Sequence, residues 1–105
     1  MKNKPTRKRR ARSAARCPTH PGALLRDIVL PALDIQRQQF AAALGVSRQT
    51  LHDILSERHP VTPKIAVRLG KALGVSPQSW MVAQAEHDIW HAAQKIDLRT
   101  IRRLG

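Results

Sequence analysis

Three residues, Gly45-Val46-Ser47, are all that stand between two helical patterns, and so short a connection forces two helices to cross closely. The first pattern places Phe40, Ala41 and Leu44 on one face. The second places Leu51, Ile54 and Leu55 on one face. Gly45 suits the left-handed conformation that ends a helix, and Ser47 has the hydroxyl that starts one. Ala41 is small enough for two helices to cross on it, and Val46 is placed to plug the space under the turn.

The same punctuation divides the rest of the chain. A first helix is expected from Pro21 to Leu30, with Leu24, Leu25, Ile28 and Val29 on one face and Pro31 as its stop. Asp34 or Gln36 caps a second helix that runs to Leu44, and the third runs from Ser47 to about Ser56. Thr62-Pro63 and Ser76-Pro77 each pair a cap with a proline at the first helical position. They open a fourth helix to Leu73, followed by Gly74, and a fifth to about Ala93. Ile96, Leu98, Ile101 and Leu104 give the last stretch a weak pattern that suits a short helix or an extended arm. No segment alternates as a strand does, so the fold class is all-α with five helices. The expected organisation is a basic tail over 1–18, a helical domain over 19–94 and a C-terminal extension over 95–105.

Charge narrows the partners. The 105 residues carry 19 Lys and Arg against 7 Asp and Glu, a net +12. Lys2, Lys4, Arg7, Lys8, Arg9, Arg10, Arg12 and Arg16 supply much of that excess with no acid among them. No Leu, Ile, Val or Phe precedes Leu24, so this tail cannot offset its ordering entropy by burial and is expected to be disordered alone. It reads equally as an arm along DNA, as a segment recognised by a partner protein or protease, or as a solvated terminus. An anionic partner is implied overall. With aromatic content at 3% and no Tyr, the chain lacks the stacking platforms of a single-strand binder. A single cysteine, Cys17, excludes a disulfide framework and points to a reducing compartment. No membrane span or secretory signal is expected.

A short helix, a tight turn and a second helix make a helix-turn-helix, whose second helix can lie in the DNA major groove. Opposite the Leu51, Ile54, Leu55 stripe stand Gln49, His52, Asp53 and Ser56, with Arg48 at the N-terminal end. Arg reads guanine bidentately and Gln reads adenine the same way, while the helix N-terminus offers N–H groups to phosphate. The candidate DNA-binding residues are Arg37, Ser47, Arg48, Gln49, Thr50, His52 and Asp53. Asp53 has two expected roles: accepting from cytosine, or folding back on Arg48 or His52. The competing bland reading is that any solvated helix is polar opposite its buried stripe.

Other residues suggest no chemistry. His87 and His91 are four apart on the fifth helix, a spacing that can hold a metal, but two histidines make no site and no cysteine or second pair accompanies them in sequence. Cys17 is read as a small residue at the domain edge. Trp80 and Trp90 read as core or dimer packing, and Arg68 as an ion-pair former at the buried edge. There is no phosphate-binding glycine loop, no paired catalytic carboxylates and no serine with a base partner. The chain is expected to be no enzyme and to need no cofactor or metal.

Residues 20–90 resemble the lambda-repressor/Cro-like (XRE) helix-turn-helix family, and within it the HigA-type antitoxins. The resemblance rests on His20-Pro21-Gly22, on the run from Phe40 to Leu51, on Ala66 to Gly74, and on Trp80, Gln84 and Asp88 in the fifth helix. It implies a five-helix domain that forms a homodimer, binds palindromic double-stranded operator DNA in its own promoter, and neutralises a HigB-like mRNA endonuclease. It also implies a bacterial, cytoplasmic, nucleoid-associated protein. Three positions depart from the pattern: Ala23 stands where an acid is common, Arg37 where a phosphate-contacting Gln is usual, and Ala83 where Leu precedes Gln84. A dimer is expected on physical grounds too. One reading helix covers only a few base pairs, and Trp80, Met81, Ile89 and Trp90 exceed one core's needs. Two other functions remain open: a free-standing repressor without a toxin, and a protein-interaction module whose charge serves an acidic partner. For a toxin, Glu57, Glu86, Asp88 and Asp97 are the candidate contacts.

Overall fold

The computed structural model describes residues 16–105, so most of the basic tail lies outside the described residues. Among them are five helices and no strand. These are α1 over residues 21–33, α2 Arg37–Leu44, α3 Arg48–Leu55, α4 Pro63–Leu73 and α5 Pro77–Lys95, with a 3-10 turn at Leu98–Thr100.

The caps are those the side chains dictate. Ser47 Oγ accepts from the Thr50 N–H at 3.0 Å, Thr62 Oγ1 from Ile65 at 3.4 Å, and Ser76 Oγ from Gln78 at 3.2 Å. Gly45 takes φ 72° at the end of α2, as its position between helices requires.

α1 departs from the expected pattern. It starts as α-helix over Pro21–Leu24, widens to a π turn over Leu25–Val29, and resumes over Leu30–Leu33. The Leu30 N–H reaches back five residues to the Leu25 carbonyl. That shift buries Leu25 and Leu30 together and leaves Ile28 outside at 61% exposure, so the expected face of Leu24, Leu25, Ile28 and Val29 is corrected. Pro31 does not stop the helix. It lies in the first turn of the resumed segment, where the π turn has already displaced the hydrogen-bond register. The stop is Asp34, left-handed at φ 55°, whose N–H donates to the Leu30 carbonyl at 3.0 Å. Asp34 therefore closes α1, and Gln36 opens α2, its N–H donating to Gln39 Oε1 at 3.0 Å.

The core joins Leu25 and Leu30 of α1, Phe40, Ala41 and Leu44 of α2, and Leu51, Ile54 and Leu55 of α3. Val61, then Ile65, Ala66 and Leu69 of α4, and Trp80 of α5 complete it. Polar side chains fasten this core through backbone groups. Buried His20 accepts the Gly22 N–H on Nδ1 at 2.8 Å, and burial beside His87 holds its pKa below the usual 6.5. Gly22 has no room for a side chain, because a Cβ there would overlap the Ile54 carbonyl of α3. Buried Gln84 of α5 accepts the Val61 N–H at 2.8 Å and donates to Asp88 Oδ1 at 2.9 Å. Arg26 donates to the Leu55 carbonyl at 2.9 Å and pairs with Glu57 at 3.2 Å. Arg68 forms no ion pair among the described residues; its Nη1 donates to the carbonyls of Leu44 at 2.9 Å and Gly45 at 3.3 Å. The expectation for Arg68 is thus corrected, since carbonyls left open at the end of α2 attract a cation.

The outer part of α5 and the C-terminal extension contribute little to this core. Val82, Ile89, Ile96, Leu98, Ile101 and Leu104 are all exposed. No helix among the described residues is long and apolar enough to cross a membrane.

Candidate nucleic-acid interface

α3 is packed by one face only. Leu51, Ile54 and Leu55 are each 1% exposed, whereas Arg48, Gln49, His52 and Ser56 face solvent and Thr50 and Asp53 are half-buried. The Gly45 turn joins the end of α2 to the start of α3, and the helices cross there. The two first turns flank an open groove of about 400 Å³ lined by Arg37, Gln38, Arg48, Gln49, Leu51 and His52. Four of the seven sequence-derived candidates, Arg37, Arg48, Gln49 and His52, therefore meet at one surface. The first turns of two helices thus border the groove, and a helix N-terminus carries a positive dipole end.

Side-chain commitments differ along this surface. Arg37 and Arg48 make no hydrogen bond or ion pair among the described residues, so both guanidiniums are available to an anion. Ser47 and Thr50 are partly spent on each other, Ser47 Oγ donating to Thr50 Oγ1 at 2.8 Å while it caps α3. Gln49 Nε2 donates to Asp53 Oδ1 at 2.9 Å, which holds the amide in place. Asp53 also lies 3.8 Å from Arg58 Nη2, and that same Nη2 is 3.1 Å from His52 Nε2. The fold-back of Asp53 is therefore onto Gln49 and Arg58, one turn back and one loop on, not onto Arg48 or His52. Its charge is offset locally, which eases its presence on a face turned toward phosphates.

Sequence reasoning missed Gln38 and Arg58. Gln38 follows Arg37 in the first turn of α2, and that position was its only signal. Arg58 lies beyond the end of α3, after a left-handed Glu57 at φ 65°, and no periodicity reaches it.

This geometry is shared. The helix-turn-helix family HTH_3 matches residues 25–80, more than half of the chain. The chain belongs to this helix-turn-helix family. Its members are DNA-binding regulators and antitoxins, not enzymes. The chain is similar to the Pseudomonas aeruginosa antitoxin HigA, solved with the higBA promoter. Identity is 35%, coverage 83% of this chain and 99% of that one, and the TM-score 0.75. It is 30% identical over 79 residues to antitoxin HigA-1 of Vibrio cholerae, covering 75% of this chain and 74% of the relative. It is also 29% identical over 84 residues to the uncharacterized HTH-type transcriptional regulator YddM of Escherichia coli strain K12, covering 80% and 88%. Proteins named as HigA antitoxins and proteins named as HTH-type transcriptional regulators thus both stand among those this chain resembles.

Proposed function

We propose that the chain is a HigA-like antitoxin that binds operator DNA as a homodimer and neutralises a HigB-like mRNA endonuclease. The observation that carries the DNA half is the groove between α2 and α3. Arg37 and Arg48 stand uncommitted there, beside a Gln49 held by Asp53, on a helix whose other face alone makes the core. In this reading α3 enters the major groove, Arg48 and Gln49 meet base edges, and Arg37 meets phosphate. Of the residues expected to exceed one core's needs, Trp80 belongs to the core and Met81 packs against it, so exposed Ile89, with Val82 and the apolar residues of the C-terminal extension, supplies surface for a second copy. Two reading helices then lie about 34 Å apart, one turn of DNA.

A free-standing repressor is the second reading, and one observation favours it. His20, Gly22, Gln84 and Asp88, which mark the antitoxin resemblance, are all engaged within this chain. Their presence therefore needs no toxin to explain it. Of the acids suited to a toxin, Glu57 is paired with Arg26 and Asp97 with Arg99. Glu86 makes no ion pair among the described residues and is the best placed for that contact.

Co-expression separates the two. A toxin-like gene is expected beside this one; its product should arrest growth alone, and this chain should restore growth and co-purify with it. Failure of both rescue and co-purification leaves the free-standing repressor as the function.

A further inference from the structure

The fold brings together three groups that the sequence keeps far apart. His87 and His91 stand on adjacent turns of α5 with ring centroids 4.4 Å apart. Cys17 reaches across from the segment entering α1 and puts its Sγ 3.3 Å from His91 Nε2, over a separation of 74 residues. One ligand atom from each of the three lies within 4.8 Å of the others. Around a single tetrahedral zinc, with bonds of about 2.0–2.3 Å, such atoms stand about 3.3–3.6 Å apart. The Cys17–His91 pair is already near that spacing. Cys17 and His91 are both exposed, so their side chains are free to turn toward a shared ion.

The surroundings suit a ligand set. His87 is held edge-on against buried His20, centroids 4.8 Å apart, and His91 edge-on against Trp90 at 5.2 Å. His20 is itself fixed by the Gly22 N–H, so the stack starts from a rigid point. The Nδ1 of His87 faces the Asp88 carboxylate at 3.4 Å, which leaves Nε2 as the nitrogen turned to an ion. A carboxylate behind a ligating imidazole is the usual second partner of such a site. Asp88 is in turn held by Gln84 Nε2 at 2.9 Å. One thiolate and two imidazoles select a borderline-soft ion over Mg²⁺ or Ca²⁺, which prefer oxygen.

We propose that Cys17, His87 and His91 form a binding site for a zinc-type divalent ion, with water at the fourth position. An ion there joins the chain just past Arg16 to the outer half of α5, which the apolar core leaves unfastened. It would fix the point from which the basic segment departs.

The test uses the full chain without a histidine tag, stripped with chelator and titrated with Co²⁺ and then Zn²⁺. One Co²⁺ per chain is expected, with tetrahedral visible bands and a thiolate-to-cobalt charge-transfer band, both erased when Zn²⁺ displaces it. Cys17→Ser should remove the charge-transfer band. Loss of a hydrogen-bond partner behind a ligand alone weakens metal sites about 10–100-fold, so loss of a ligand in Cys17→Ser or His91→Ala should weaken Zn²⁺ by about 100-fold or more. Both residues are exposed, so circular dichroism and melting of the metal-free variants should match wild type. His59→Ala should bind Zn²⁺ as wild type does. Absence of stoichiometric binding, or wild-type affinity in Cys17→Ser, overturns the site.

Discussion

The two sides of α3 use polar side chains in opposite ways. On the packed side, His20, Arg26, Arg68 and Gln84 each bond a backbone group of another segment or of the first turn of α1. Those groups are the Gly22 N–H, the Leu55 carbonyl, the Leu44 and Gly45 carbonyls and the Val61 N–H. Each satisfies a group that would otherwise be stranded at a helix end or in a buried loop, where an unmade bond costs about 1–3 kcal/mol. On the solvent side, Arg37 and Arg48 bond nothing among the described residues, and Gln49 bonds only its neighbour Asp53. The difference teaches how to assign charge in a chain at +12. An arginine that closes a helix end serves the fold, and one left open beside two helix N-termini is available to a ligand.

The largest expected effect comes from the solvent side. The double variant Arg48→Ala with Gln49→Ala should lose about 1–3 kcal/mol of operator affinity for each base contact removed. Its melting temperature should stay at the wild-type value, because neither side chain touches the core. Fluorescence anisotropy on operator DNA, read beside calorimetry, checks both halves. Wild-type affinity in this variant would put the wrong face of the domain against DNA.

Gly22→Ala tests the packed side. Its new methyl collides with the Ile54 carbonyl, and overpacking of this kind costs about 1–3 kcal/mol. Urea denaturation should show the loss, while the folded fraction keeps its operator affinity. Undiminished stability would mean that α1 and α3 can separate more easily than their contact suggests.

The smallest effect is expected of Arg68→Ala. It removes a cation from two carbonyls at the end of α2 and should cost about 1 kcal/mol of stability. The slope of log affinity against log salt should not change, since a guanidinium turned onto its own backbone releases no counterion from DNA. A shallower slope would move Arg68 to the DNA side and blur the distinction between the two faces.

Most of the fold was legible because helix ends are local. Ser47, Thr62-Pro63, Ser76-Pro77 and Gly45 state their structural roles within four residues of where they act. The exposed face of α3 was legible for the same reason: a helix that buries Leu51, Ile54 and Leu55 must present Arg48, Gln49 and His52 outward. The groove was not legible: the short turn implied only a close crossing, and that the first turns of α2 and α3 flank one opening depends on their crossing angle.

What the tertiary structure decided has another range. The π turn in α1 puts Leu25 and Leu30 into one core; Pro31 announces a local break, but that it takes the form of a wide turn and not a stop was decided by packing. Gln84 meets Val61, Arg68 meets Leu44, and Cys17 meets His91 across 23, 24 and 74 residues. A side chain's partner at that distance is fixed by how whole helices pack, not by its neighbours in sequence. The sequence by itself therefore determined where the helices begin, where all but α1 end to within a residue or two, and which face of α3 is free. Only their packing decided which polar groups hold the scaffold and which three ligand atoms share one corner of it.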